Sequence, residues 1–320
     1  MTTATSRWLR LAAQVPPVAW NLAHWGVPRR ALVFGPLSLG DDLLCTAVLR
    51  EARKRGQPWT MLTARPELFT GNPDPVRVLP IHDYYLKAIG RLGTRVLQPY
   101  YVQADPEHAD RDVLPPRHII AEMCRLAGVR GSVQLRPWLF LTDAERTRGA
   151  VFPRQIAVHS TGLTAAIPYA NKEWGKNNFA AVVRLLSPEF KVIQLGSTQD
   201  PALPVDTDLR GKTTLREAAA VLANSAVFIG LEGFLAHLAR AVECPAVVVF
   251  GGRARPETFG YTANRNLYSP EPCAPCGLRN TCGYAHACMT RITPAEVEVA
   301  ARELIARPPG PLPVDTAEIP

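Results

Sequence analysis

The stretch AVFIGLEGFLAHLARAVECPAVVVF, residues 226–250, decides the fold. Ala226–Ile229 is a short apolar run. Gly233–Val242 carries apolar residues at helical spacing. Ala246–Phe250 is a second apolar run, ended by two glycines. Strand, helix and strand in that order require a crossover, so the two strands lie parallel. Runs that are apolar at every position are buried on both faces, as strands of a covered parallel sheet are.

The same alternation extends upstream. Gln155–Val158 and Lys191–Leu195 read as strands, and Asn177–Leu186 and Leu215–Leu222 as helices. Downstream, residues 253–292 read as irregular. Thr293–Arg307 reads as a helix with Thr293 as N-cap, Pro294 at N1 and Glu296 at N3. The proline-rich tail from Pro308 is expected to fray. The first half repeats the plan, with a strand at Ala31–Phe34, a Gly/Pro/Ser loop, and a helix opened by Asp41 and Asp42. Strands follow near Trp59–Thr63, Val76–Leu79 and 93–103, with a helix at 117–127, and residues 142–154 read as a hinge. The expected fold is α/β, with two Rossmann-like doubly wound domains facing across a cleft. The divisions are 1–29 as a leader, 30–148 and 149–292 as the two domains, and 293–320 as a terminal helix and tail.

Composition narrows the function classes. At 47% hydrophobic and 20% charged, the 320-residue chain is globular. Its 36 Lys and Arg against 28 Asp and Glu leave a net charge of +8, which suits an anionic partner. No dense basic block or aromatic-interleaved basic stripe is present, which argues against nucleic acid. No run approaches the ~18 apolar residues of a membrane span. Residues 1–28 carry Trp8, Trp20 and Trp25 among few charges. They read either as a leader packed on its own domain or as an amphipathic segment on a membrane surface. Cys45, Cys124 and Cys244 stand singly in apolar surroundings, as buried thiols of a reducing compartment do.

Ligands of doubly wound sheets bind beyond the carboxyl ends of the strands, so the post-strand loops are where chemistry is sought. The loop Gly35–Asp42 offers a carboxylate that is either a general base or a helix-start charge serving the dipole. It is no dinucleotide fingerprint, and no Walker A sequence occurs. The loop from His159 to Gly175 places Ser160, Thr161 and Lys172 at a strand end, which is phosphate chemistry, or else a polar loop anchored by Trp174. At Glu232 and Gly233 a helix start offers free amides to an anion, while Glu232 suits sugar hydroxyls. His237, one turn on, is either a structural hydrogen-bonder or a site residue. Gly196 closes another strand. Cys273, Cys276, Cys282 and Cys288 form C-x2-C plus two cysteines, either a structural zinc site or thiols knitting an irregular loop.

Taken together the motifs resemble one family. They run G-x-x-x-x-G-D-D-L-L at 35–44, H-S-T-G…K-E-W-G at 159–175, L-R-G-K-T-T-L-R-E at 209–217, F-I-G-L-E-G-F-L-A-H at 228–237 and C-A-P-C…C…C-M-T-R-I-T-P-A-E-V at 273–297. This is similar to glycosyltransferase family 9, the lipopolysaccharide heptosyltransferases, over about residues 30–305. The resemblance implies a GT-B fold and an inverting, metal-independent transfer from a nucleoside diphosphate sugar, with an ADP-sugar as donor and no cofactor required. It implies a glycolipid or saccharide acceptor, and a cytoplasmic location with peripheral contact to the inner membrane. It implies Asp41 as general base and Lys172 at the diphosphate, with Ser160, Thr161, Gly196, Glu232, Gly233 and His237 around the donor. Glu232 stands where most members carry aspartate. That departure keeps a second expectation open, a degenerate member that binds a nucleotide sugar or a partner without turnover.

Overall fold

The computed structural model describes residues 17–35, 39–308 and 310–320. Helix α1 covers residues 17–25; the leader residues before it and the tip of the Gly35–Asp42 loop lie outside the described residues. Among the described residues no helix is long and apolar enough to cross a membrane.

The first sheet is built from β1 (Arg30–Val33), β2 (Thr60–Thr63), β3 (Val78–Pro80) and β4 (Arg95–Leu97), with α2 (Leu39–Lys54) and α3 (Asp83–Arg91) between them. All pairings are parallel and the order is β3-β2-β1-β4. The chain therefore reverses its winding between β1 and β4. Asp41 and Asp42 in the first turn of α2 and Arg53 and Lys54 in its last both complement the helix dipole. A small antiparallel ribbon, β5 (Gln103–Ala104) and β6 (Asp112–Val113), leads to α4 (Ile119–Leu126), β7 (Gly131–Gln134) and α5 (Asp143–Gly149).

The second sheet has six strands: β8 (Ile156–Val158), β9 (Val192–Gln194), β10 (Thr207–Asp208), β11 (Val227–Leu231), β12 (Ala246–Phe250) and β13 (Arg265–Tyr268). Its order, β10-β9-β8-β11-β12-β13, is 3-2-1-4-5-6, again parallel throughout. This is the doubly wound order of dinucleotide-binding sheets, with its switch point between β8 and β11. Strands β8, β11 and β12 are buried along their whole length, as their unbroken apolar runs require. Helices α6 (Lys176–Leu186), α7 (Leu215–Ala223), α8 (Phe234–Ala241), α9 (Pro256–Phe259), α10 (Ala287–Thr290) and α11 (Pro294–Ile305) complete the domain. Thr293 caps α11 in a reciprocal box with Glu296, as the sequence predicts.

Four local expectations are corrected. Residues 93–103 do not form one strand; β4 ends at Leu97 and the chain enters a loop that leads to β5. The stretch read as a hinge contains α5, capped by Thr142 and Glu145 and packed on α7. The two helices approach so closely that a Cβ on Gly149 would lie 2.1 Å from the Ala220 carbonyl oxygen. Residues 253–292 are not wholly irregular, since they contain α9, β13 and α10. The tail does not fray. Its β14 (Thr316–Ile319) pairs antiparallel with β7 of the first domain, and Ile319 is buried there. One apolar core runs through residues of both domains, from Leu32 and Leu44 to Leu238 and Phe250.

Candidate active site

A cavity of about 700 Å³ lies between the two sheets, at the carboxyl ends of their strands. The first domain lines it with Leu39, Gly40, Asp41, Leu44, Arg65 and Tyr101, and the loops after β8, β9 and β11 line the facing wall. Both switch points therefore open onto one space, which is what the winding of each sheet dictates.

The two neighbouring acids on α2 take different positions. Asp41 lines the cavity, and its Oδ1 accepts a 2.6 Å hydrogen bond from the Tyr101 hydroxyl. Asp42 is buried behind it, where its Oδ2 accepts from Thr63 at 2.8 Å and from Arg65 at 3.3 Å. Burial raises the Asp42 carboxyl above its ordinary range, against the pull of Thr63 and Arg65. Gly40 lies against Phe234, so the start of α2 touches the start of α8 in the other domain.

Opposite Asp41, a single turn of tighter helix at Ala170–Lys172 brings Lys172 into the cavity wall. Its Nζ forms an ion pair with Glu232 Oε2, at the end of β11. Burial draws the Lys172 ammonium below its ordinary value, against the pull of Glu232. Burial also works against the Glu232 charge, but Lys172 and Arg253 outweigh it and hold the carboxylate below its usual value. The sequence reading assigned these two side chains separate tasks. The structure joins them, so the lysine in the cavity wall already has a carboxylate partner that holds it in place. Arg253 lies behind the site. It stacks over Tyr169, 4.5 Å from the ring centre, and pairs with Asp112 of the first domain.

The other predicted residues divide. Thr161, Gly196, Gly233 and His237 line the cavity with Lys172 and Glu232. Thr161 donates to Glu173 at 2.9 Å, which braces the loop after β8. Ser160 does not line the cavity; its hydroxyl is buried with no hydrogen-bond partner among the described residues. Gly196 has φ +139°, and a Cβ there would lie 2.0 Å from Asp200 Oδ2, so the turn requires glycine. His237 Nδ1 lies 2.7 Å from the Tyr261 hydroxyl, and burial lowers its pKa to about 4, so the ring is neutral at ordinary pH. Trp174 is the packing anchor of its loop, with Nε1 donating to the Ile292 carbonyl at 2.9 Å.

The four clustered cysteines are free thiols. Among the described residues no group of three or more His, Cys, Asp or Glu side chains is arranged to hold a metal ion. Their loop has a visible structural task. It braces the Lys172 turn, because Asn171 donates to the Thr281 carbonyl at 2.7 Å and its Oδ1 lies 2.9 Å from His286 Nε2. The same loop grips the first domain, where Asp110 and Asp112 bind Thr281, Asn280 and Arg279.

Sequence reasoning missed Tyr101, Arg65 and Asp200 as cavity residues. Each follows a strand of one of the two sheets, so the strand-end rule that found Asp41 applies to them too. The Tyr101 segment was read as strand, which hid it.

Residues 142–286 match the sequence model of Glycosyltransferase family 9 (heptosyltransferase). The match covers a little under half of the chain, from α5 to the loop of clustered cysteines. No curated protein matches the chain by sequence. Among solved structures, E. coli ADP-heptose lps heptosyltransferase II is similar at 18% identity and TM-score 0.63, over 86% of this chain and 98% of that one. A family 9 glycosyl transferase from Veillonella parvula is similar at 15% identity and TM-score 0.61, over 87% and 97%. The iron-containing dodecameric glycosyltransferase TibC from enterotoxigenic E. coli is similar at 18% identity and TM-score 0.65, over 87% and 76%. The chain thus has the GT-B architecture of two facing doubly wound domains that these structures share.

Proposed function

We propose that the protein transfers a sugar, with inversion, from a nucleoside diphosphate sugar to a hydroxyl of a cell-envelope glycolipid or saccharide. The observation that carries this reading is the facing arrangement of Asp41 and Lys172 across one cavity, a carboxylate on one wall and a cation beside a helix start on the other. In this reading Asp41 takes the proton from the acceptor hydroxyl while its oxygen attacks the anomeric carbon from the face opposite the diphosphate. The carbon–oxygen bond to the diphosphate breaks as the new glycosidic bond forms. Charge that grows on the departing diphosphate meets Lys172, the Thr161 hydroxyl and the first-turn amides of α8, which the helix itself leaves unused. These groups supply the neutralisation that a metal provides elsewhere, so the reading requires none. The donor is an ADP-sugar, and ADP-heptose is the one supported by the TibC complex with ADP-D-beta-D-heptose, similar at 16% identity and TM-score 0.64.

The acceptor side supports a membrane-borne partner. Around α1, α3 and β4 the first domain exposes Trp20, Tyr84, Leu92 and Val96. Lys87 and Arg91 share a shallow hollow with Val96. Exposed aromatic and cationic side chains on these elements suit an anionic lipid surface. The reading therefore places the protein at the cytoplasmic face of the inner membrane.

The test is thermal unfolding against ADP, UDP, GDP and CDP, each with and without EDTA. A ligand at ~100 Kd stabilises by about 2.7 kcal/mol. The reading predicts a shift with ADP that survives EDTA. A chain that binds ADP but releases none from ADP-heptose with any envelope glycolipid is the non-catalytic binder instead.

A further inference from the structure

Asp41 is held by a residue from across its own sheet. It follows β1, whereas Tyr101 follows β4, and these are the two strands between which the winding of the first sheet reverses. Tyr100 fixes the segment by donating its hydroxyl to the Phe34 carbonyl at 3.1 Å, at the end of β1. The Tyr101 ring packs against Phe34, and edge-on against Phe259 of the second domain with centroids 6.0 Å apart. The ring thus spans both domains while its hydroxyl reaches Asp41 Oδ1.

We propose that Tyr101 is the positioning residue of the transfer, which fixes the Asp41 carboxylate in its ionised, acceptor-facing orientation when the two domains are closed on Phe259. The inference rests on the reading of Asp41 as general base. A hydroxyl donated to a carboxylate favours the charged form and fixes the direction in which the group points. Burial and the Asp41 charge push the Tyr101 phenol well above its ordinary value, so it stays protonated and donates. Other groups face the pair. Asp42 and Cys45 lie on the same helix, Arg65 beyond β2, and Lys172, Glu232, His237 and Arg253 on the second domain. The Asp41–Tyr101 bond joins the base to the loop after β4 and, through the tyrosine ring, to the second domain. One substitution can cut that bond while leaving the ring in place.

The test is Tyr101→Phe, which keeps the ring and removes one oxygen. In protein labelled with 13C at the aspartate carboxyls, the Asp41 resonance is identified by its loss in Asp41→Asn. Its titration midpoint is expected to rise by about one pH unit in Tyr101→Phe. Release of ADP from ADP-heptose should fall roughly ten- to hundredfold, with its acid limb displaced upward, while ADP affinity stays unchanged. The spectrum also reports whether the variant is folded. An unmoved midpoint with unchanged turnover, beside an inactive Asp41→Asn, overturns this inference alone. Full turnover by Asp41→Asn overturns the base assignment and this inference with it.

Discussion

At the residue scale the site turns on one buried ion pair. Lys172 and Glu232 stabilise each other only as a pair, because each charge alone would be stranded away from water. Glu232→Gln should therefore lower stability by about 3 kcal/mol, and ADP should restore part of the loss by supplying the missing negative charge. Thermal unfolding with and without ADP measures both effects; a variant as stable as the parent contradicts the pairing. Lys172→Met should abolish the ADP-induced shift. Asp41 and Glu232 were singled out in the sequence because each stands next to a glycine at a strand end or helix start, and Lys172 because it is the cation of the loop after β8. Their mutual arrangement was not. Nothing in the spacing of residues 172 and 232 says that a tight turn and the end of β11 bring the two side chains into contact.

At the element scale the cysteine loop and the Lys172 turn act as one unit. Asn171 is buried between the Thr281 carbonyl and His286. Asn171→Ala should leave the fold intact and weaken ADP binding about tenfold, a difference of 1.4 kcal/mol, readable by titration calorimetry. Unchanged affinity would show that the loop does not set the lysine. Helix α11 was legible from its capping box of Thr293 and Glu296, whereas the same box of Thr142 and Glu145 at α5 was passed over as a hinge. The strand β14 was not, because a proline-rich tail reads as unstructured until β7 offers it an unpaired edge. The face around α1 and α3 makes its own prediction. The protein should float with vesicles of anionic phospholipid and not with neutral ones, and 0.5 M salt should release it. Trp20→Ser should weaken that binding without altering ADP affinity.

At the scale of the whole molecule, the two domains are joined by a buried histidine, His118, as well as by ion pairs, and a second buried histidine lies beside that contact. His118 of the first domain places Nε2 3.0 Å from the Gly260 carbonyl oxygen, and His237 meets the neighbouring Tyr261. Burial lowers both pKa values to about 4, against an ordinary value of 6.5. The unfolded chain therefore takes up these protons first. Stability is complete above about pH 6.5 and falls as the pH drops toward 4, by up to about 3 kcal/mol for each histidine. Melting temperatures measured from pH 8 to 5 should show the decline, and His237→Gln should remove about half of it; a flat parent profile contradicts the assignment. The doubly wound order of both halves was legible from apolar runs alternating with helical spacing, since burial of both faces leaves no other pattern. The closure of the halves on each other was not, because the contacts that make it, such as Asp112 with Arg253 and Arg279, join residues more than 140 positions apart. The central claim is that Asp41 activates an acceptor hydroxyl against a donor held by the second domain. The most direct measurement compares parent and Asp41→Asn for ADP release from ADP-heptose with envelope glycolipid present, alongside ADP affinity in the same preparations. The account predicts a loss of at least ~10²-fold in kcat with ADP affinity unchanged. An Asp41→Asn protein that turns over at the parent rate would contradict it.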